Sequence, residues 1–392
     1  MGSLFTPAPE QWGLRGDRYL WQALREALDE TPVPATDDGV DNLLATHIED
    51  LAGVDIRREV QEAVYREQFA HGGMSSGHIH VPTWRDRLLP LLVARAAGTR
   101  VPDPWDRQVS VDLRATRSRI ARLNRYVESN LLSDGQFICP SYQQCRNSRH
   151  QGDAFREGIM SHVGRRFDLT LDGEPLRIAV VGQESGLAKG PSAARYLSGV
   201  TMETRYQQVV NGSGLAHRYY AQDGYPGRNP HMRGTTTALR LLLGTGLGTD
   251  YEGEFVLPTK GRRFHLFDGF ALVNRLLCSA GPPGGSQGRP TGTMARNCGA
   301  HFSATLSILE PTIVILQGTK VAKWATGVLA PERVHTEHLY EAILDGRRVV
   351  VCRFSHPSAH GTIRWGDRPD APYVANVVAP TLQAALQLSL QT

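Results

Sequence analysis

The chain has 392 residues, 41% of them hydrophobic, and 43 Lys and Arg against 39 Asp and Glu give a net charge of +4. That length and apolar share exclude a disordered chain and suffice for a sizeable core, more naturally in two domains than one, while the weak positive charge suits a nucleic-acid binder without requiring one. No run is long enough to span a bilayer, and the Met1 start lacks a charged and an apolar leader region, so a cytoplasmic protein with no membrane partner is expected.

The first hundred residues read as helices separated by Pro and Gly. Asp17 can cap a helix bearing Tyr19, Leu20, Ala23, Leu24, Ala27 and Leu28 at helical spacing, and Pro32 and Pro34 end it. Further helical patterns cover Val40 to Leu51 and Arg57 to Phe69. His71, His78 and His80 mark a Gly-rich loop, but no Cys or carboxylate beside them completes a metal site, and solvated loop histidines explain them equally. Val109 to Leu132 reads as one basic amphipathic helix. Leu113, Ile120, Leu123, Val127 and Leu131 are expected to pack, with Arg114, Arg117, Arg119, Arg122 and Arg125 outward as either a solvated face or a phosphate-contacting wall. Residues 1–132 are thus assigned to a helical, partly basic N-terminal domain whose partner the sequence leaves unknown.

From residue 133 the chain alternates strands and helices. Arg177 to Gly182, Ala271 to Asn274, Thr312 to Leu316 and Val349 to Phe354 read as buried strands; Gly299 to Leu309 and Leu382 to Leu390 read as helices. This pattern predicts an α/β fold, a three-layer α/β/α sandwich around a mostly parallel sheet. Ligands of such sheets collect at the carboxyl ends of strands, where Gly182, Asn274, Gly318 and His356 fall, so one site at one rim is expected. Pro283 to Gly288 is a turn-rich surface loop.

Five cysteines argue against a disulfide scaffold. Cys139, Cys145, Cys278 and Cys298 form a candidate four-thiolate site, the usual complement of a [4Fe-4S] centre, with zinc and buried free thiols as the other readings. Cys352 lies inside an apolar strand and reads as core.

Four features carry a family resemblance: a strand ending in Gly182-Gln183-Glu184-Ser185-Gly186, the run Asn274-Arg275-Leu276-Leu277-Cys278, a Cys298 that opens a helix, and a strand ending in His356-Pro357-Ser358. In this order they resemble the uracil-DNA glycosylase superfamily, in particular its iron–sulfur branches, from about Phe137 to the C-terminus. The resemblance implies a [4Fe-4S] cluster of structural role and a DNA partner, with no nucleotide cofactor. It implies further that Asn274 holds a flipped base, His356 donates to the base oxygen as negative charge builds there, and Glu184 orients water or faces the cationic sugar. Gly182 and Gln183 line the base site, Ser358 contacts a flanking phosphate, and the loop of Ile363, Arg364 and Trp365 enters the duplex. The chain departs from the family at Gln183, Glu184 and Ser185, in the spacing of Cys139 and Cys145, and in an insertion at about 187–229. That insertion carries Tyr196, Arg205, Tyr206, His217, Arg218, Tyr219, Tyr220 and Tyr225 before His231 or Met232 reaches the place of the family's stacking aromatic.

The resulting expectation for residues 133–392 is a monofunctional DNA glycosylase that hydrolyses the N-glycosidic bond of a flipped pyrimidine, since no Lys in these motifs offers a Schiff-base nucleophile. The altered first motif and the insertion favour a modified cytosine, hydroxymethylated or glucosylated, as in phage DNA and by analogy with phage-restricting members of the superfamily. Uracil removal in base-excision repair and a catalytically silent iron–sulfur DNA-binding module are the alternatives. A nucleotide-binding reading of Gly244 to Thr249 lacks the Lys-Ser/Thr ending of a phosphate loop.

Overall fold

Four near-continuous apolar runs form the centre of a seven-stranded sheet, because strands covered on both faces need apolar side chains pointing both ways. Its strands are β1 (His162–Val163), β2 (Ile178–Gly182), β3 (Phe270–Asn274), β4 (Ile313–Gln317), β5 (Arg333–Thr336), β6 (Leu339–Leu344) and β7 (Arg347–Phe354). They lie in the order β5-β6-β7-β4-β2-β3-β1. The computed structural model describes residues 108–134, 136–184, 200–215, 228–248, 252–256, 258–260, 262–283, 288–366 and 371–391. The helices expected before Val109, the histidine loop, and Tyr196, His217, Arg218, Tyr219, Tyr220 and Tyr225 of the insertion lie outside the described residues.

The sheet is mixed rather than mostly parallel. β7, β4, β2 and β3 run parallel, whereas β1 joins β3, β6 joins β7, and β5 joins β6 in antiparallel pairs. One cause is local: Asp345 and Gly346 both have positive φ (49° and 74°) between the paired Leu344 and Arg347, the two-residue turn that returns a strand antiparallel.

Helices cover both faces of this sheet. They are α1 (Leu113–Asn130), α2 (Tyr142–Asn147), α3 (Pro230–Leu243), α4 (Gly292–Asn297), α5 (Gly299–Leu309), α6 (Thr319–Ala325) and α7 (Ala379–Ser389). Successive strand residues alternate faces, so Ala179, Val181, Ala271, Val273, Val314 and Leu316 pack in one core with Leu123 and Val127 of α1 and Phe302 and Leu306 of α5. Ile178, Val180, Leu272, Ile315 and Cys352 pack on the other side with Leu239 and Leu242 of α3 and Leu382 and Ala385 of α7. No helix among the described residues is long and apolar enough to cross a membrane.

The basic helix differs from its sequence reading in three ways. Val109–Val111 is a strand paired with Leu169–Leu171, and the helix starts only after Asp112, whose carboxylate accepts from the N–H groups of Arg114 and Ala115 at 2.9 Å. Leu113 is exposed at 46%. Arg119 faces inward: it is buried and pairs with Asp168 at 2.8 Å and Glu310 at 2.9 Å. With its apolar face in the core, α1 belongs to the sheet's own compact unit, which comprises Gln108–Tyr219, Gly227–Leu243 and Phe255–Thr392. Residues 108–132, expected in the N-terminal domain, therefore pack with the sheet.

Candidate functional site

The parallel centre sets the geometry of the rim. Asn274 pairs with Gly182, and Arg275 and Leu276 continue the ladder by donating to the carbonyls of Gly182 and Gln183 at 2.9 Å each. Asn274 is buried, and its Nδ2 has no hydrogen-bond partner among the described residues. A Cβ at Gly182 would lie 3.0 Å from His231 Nε2 and 3.9 Å from Asn274 Oδ1, so the glycine leaves a space that both side chains border.

His356 closes the same group from β7. Its ring centroid lies 5.7 Å from that of His231, with the planes tilted by 35°. The Ser358 backbone N–H donates to His356 Nδ1 at 3.1 Å, and Ser358 Oγ stands 2.7 Å from the same atom. Because an amide N–H can only donate, Nδ1 is an acceptor and the ring proton sits on Nε2. Burial lowers the His356 pKa, and burial together with His356 and Arg205 holds His231 down to about 3. Both rings are therefore neutral near pH 7, and His356 presents an N–H donor rather than a cation.

Two glycines let α3 approach the His356 loop. A Cβ at Gly234 would lie 2.8 Å from Pro357, and one at Gly366 would collide with the Pro230 carbonyl. Trp365 turns inward: it is 1% exposed, donates from Nε1 to the Ser355 carbonyl at 2.9 Å, and meets Phe354 edge-on. It anchors the loop rather than entering a duplex, leaving Ile363 and Arg364 exposed at the tip. Met232 likewise packs into the apolar core, so of the two candidates for the stacking position His231 alone borders the space at Gly182.

Glu184 is the middle residue of the first motif, two beyond Gly182, and the last of it that the structure describes. Its carboxylate lies against Gly288, where any Cβ would strike it, and both oxygens are buried. Burial pushes its pKa up to about 7, with the Gln183 side chain and Lys320 pulling the other way. Ser185 and Gly186 lie outside the described residues.

Cys139, Cys145, Cys278 and Cys298 gather on the opposite face of the sheet. Three are buried in one core cluster with Cys139 packed against it, and Cys278 feels Cys298, Cys145 and Cys139 electrostatically. Cys278 follows β3, and Cys298 stands where α4 ends and α5 begins. Burial raises the pKa of Cys139 and Cys278 and pushes Cys298 up to about 11, so without metal these are neutral thiols. Asn297 Nδ2 lies 3.4 Å from Cys145 Sγ, and His301 Nε2 lies 3.6 Å from Cys139 Sγ while its Nδ1 meets the Tyr126 hydroxyl at 2.8 Å. No three His, Cys, Asp or Glu among the described residues are grouped to hold a single metal ion.

The buried Arg275 supplies a test of fit for an anionic thiolate cluster. Its guanidinium feels Cys298, donates to the carbonyls of Trp324 and Ala295, and leaves Nη1 unpartnered among the described residues. A buried cation facing the Phe302 ring at 5.2 Å, with no carboxylate paired to it among the described residues, is costly, and thiolates carrying net negative charge beside it would offset that cost. The four-cysteine set therefore fits an iron–sulfur cluster. Cys352 is buried in the core of the other face, apart from these four.

Three contributors escaped the sequence reading: Arg275 and His301 beside the cysteines, and Gln317 at the end of β4. Only Gln317 carried a signal, as the single polar side chain closing the apolar run from Ile313. No protein-family model matches the chain, and no curated protein matches it.

Proposed function

We propose that the chain is a monofunctional DNA glycosylase resembling the iron–sulfur branches of the uracil-DNA glycosylase superfamily, with that superfamily's three-layer sandwich. The observation that supports this most is the meeting of Asn274 and a neutral, Nε2-protonated His356 with His231 and Gly182 at the rim of the parallel strands.

Cleavage of a glycosidic bond leaves positive charge on the sugar and negative charge on the departing base, and catalysis follows from groups that meet those charges as they form. Asn274 holds the extruded base through its amide. His356 donates its Nε2–H to the base oxygen, and a neutral donor fixed by Ser358 does so without first losing a proton. Glu184, with a pKa near 7, accepts a proton from water or faces the cationic sugar. On the DNA side, Ser358 contacts a flanking phosphate, exposed Ile363 and Arg364 occupy the space of the flipped nucleotide, and Arg114, Arg117 and Arg125 offer phosphate contacts from α1.

Cys139, Cys145, Cys278 and Cys298 would hold a [4Fe-4S] cluster. It would supply structural cohesion to the segment after Asn274, because this hydrolysis moves no electrons. A modified cytosine is the favoured substrate, with uracil as the alternative. Incubation with duplexes carrying uracil, 5-hydroxymethylcytosine or glucosylated cytosine tests the reading: free base and an abasic strand from one of them support it, and an intact strand from all three refutes it.

A further inference from the structure

The end of β4 carries an amide that the proposed reaction leaves unused. Leu316 pairs with Val181 and Gln317 with Phe354, so Gln317 stands beside Gly182 in the row that ends with Asn274. Strand positions two apart share a face. Ile313 and Ile315, Phe270 and Leu272, and Ile178 and Val180 all belong to the core beneath α3 and α7, which places Gln317, Asn274 and Gly182 on that face together.

Hydrogen bonding fixes which way the Gln317 amide points. Its Nε2 donates to Thr235 Oγ1 at 3.2 Å, and the Thr235 hydroxyl spends its only proton on the His231 carbonyl at 3.0 Å. Thr235 Oγ1 can then only accept, so the nitrogen of Gln317 faces it and the oxygen is left over. That Oε1 belongs to a fully buried side chain and has no partner among the described residues, as is true of Asn274 Nδ2. One buried acceptor and one buried donor thus remain unmatched among the described residues, on two strands flanking Gly182. Each is costly to leave unpaired, and about 10 Å of backbone separation keeps them from satisfying one another.

We propose that Gln317 is a specificity-determining residue, accepting from the exocyclic amino group of the base through Oε1 while Asn274 Nδ2 donates to the ring N3 and His356 to O2. This rests on the glycosylase reading above and narrows its substrate to a cytosine-type base. In that pose uracil would set its O4 against Oε1 and its N3–H against Nδ2, acceptor against acceptor and donor against donor, and a site with buried polar groups left unmatched rejects the wrong ligand strongly.

The test compares single-turnover release of 5-hydroxymethylcytosine and uracil from the same duplex by the wild type, Gln317→Leu and the length-matched Gln317→Met. Binding to 2′-fluoro versions of both duplexes, which resist cleavage, is measured alongside. Wild type is expected to favour the cytosine-type base in rate and in binding. At least one variant should narrow that preference by about tenfold or more, in line with one lost buried hydrogen bond. An equal fall for both bases in both variants, or an unchanged preference, would show that Gln317 only anchors α3 and would overturn the assignment while leaving the glycosylase reading intact. Absence of release and of base-dependent binding in the wild type would overturn both.

Discussion

The Ser358 backbone amide donates to Nδ1 of His356 at 3.1 Å, and this contact decides which imidazole nitrogen carries the proton. Since the Ser358 hydroxyl is a second partner of the same atom, Ser358→Ala removes one support and keeps the other. Base release should fall by about tenfold or less, the effect of one modest hydrogen bond. A loss as large as that of His356→Ala would mean that the hydroxyl, not the amide, sets the tautomer.

Glu184 should set the pH dependence. Its buried carboxyl has a pKa of about 7, so as an acceptor or electrostatic partner it acts only when ionised, and base release should rise with pH through about 7. Stability runs the other way. A carboxyl whose folded pKa is raised favours the folded state while protonated, and that contribution is lost as pH climbs from the ordinary carboxylate range through about 7. The loss is roughly 3 kcal/mol by linkage. Glu184→Gln should flatten both profiles; an unaltered rate profile would assign water activation to other groups.

The cysteines should separate by face of the sheet. Cys298→Ala is expected to lose iron, sulfide and visible absorbance together with thermal stability, because metal binding and folding are coupled at such sites. Cys352→Ala, on the other face, should retain all of the metal. His301→Phe should keep four ligands but release iron to a chelator faster than wild type, since it removes the nitrogen 3.6 Å from Cys139 Sγ. Wild-type protein prepared anaerobically and found to contain zinc or no metal would refute the cluster.

The arginines of α1 should divide likewise. Arg119→Ala leaves Asp168 and Glu310 without their buried partner and should cost about 3 kcal/mol of stability or more. Arg117→Ala, at an exposed position, should leave stability unchanged and reduce the salt dependence of duplex binding by about one phosphate contact. Equal effects on stability would contradict the inward placement of Arg119.

What the sequence disclosed follows from how local each determinant is. Apolar runs identified β2, β3, β4 and β7, and the rim residues Gly182, Asn274 and His356 followed because a polar or glycine residue ends each run. Cys352 was legible as core for the same reason. Arg119 was not, since the carboxylates that allow its burial come from distant segments; Asp168 alone is 49 residues away. The burial of Trp365, and the choice between His231 and Met232, are not legible because a loop or helix start gives no periodicity to show which side chain turns inward. The roles of Gln317 and Thr235 depend on a helix and a strand 82 residues apart, a relationship no local pattern contains. The antiparallel edge, by contrast, has a local signal in Asp345-Gly346, a two-residue turn between paired strands.

The most direct measurement is single-turnover base release from a duplex carrying a modified cytosine or uracil, by wild type, Asn274→Ala and His356→Ala, with duplex binding recorded in parallel. The wild type should liberate the base and leave an abasic site. Each variant should be slower by about 100-fold to 1000-fold while binding changes little, because these contacts matter once the base is flipped and its bond is breaking. Wild-type protein that binds the duplexes and releases no base, or variants that match its rate, would contradict the account.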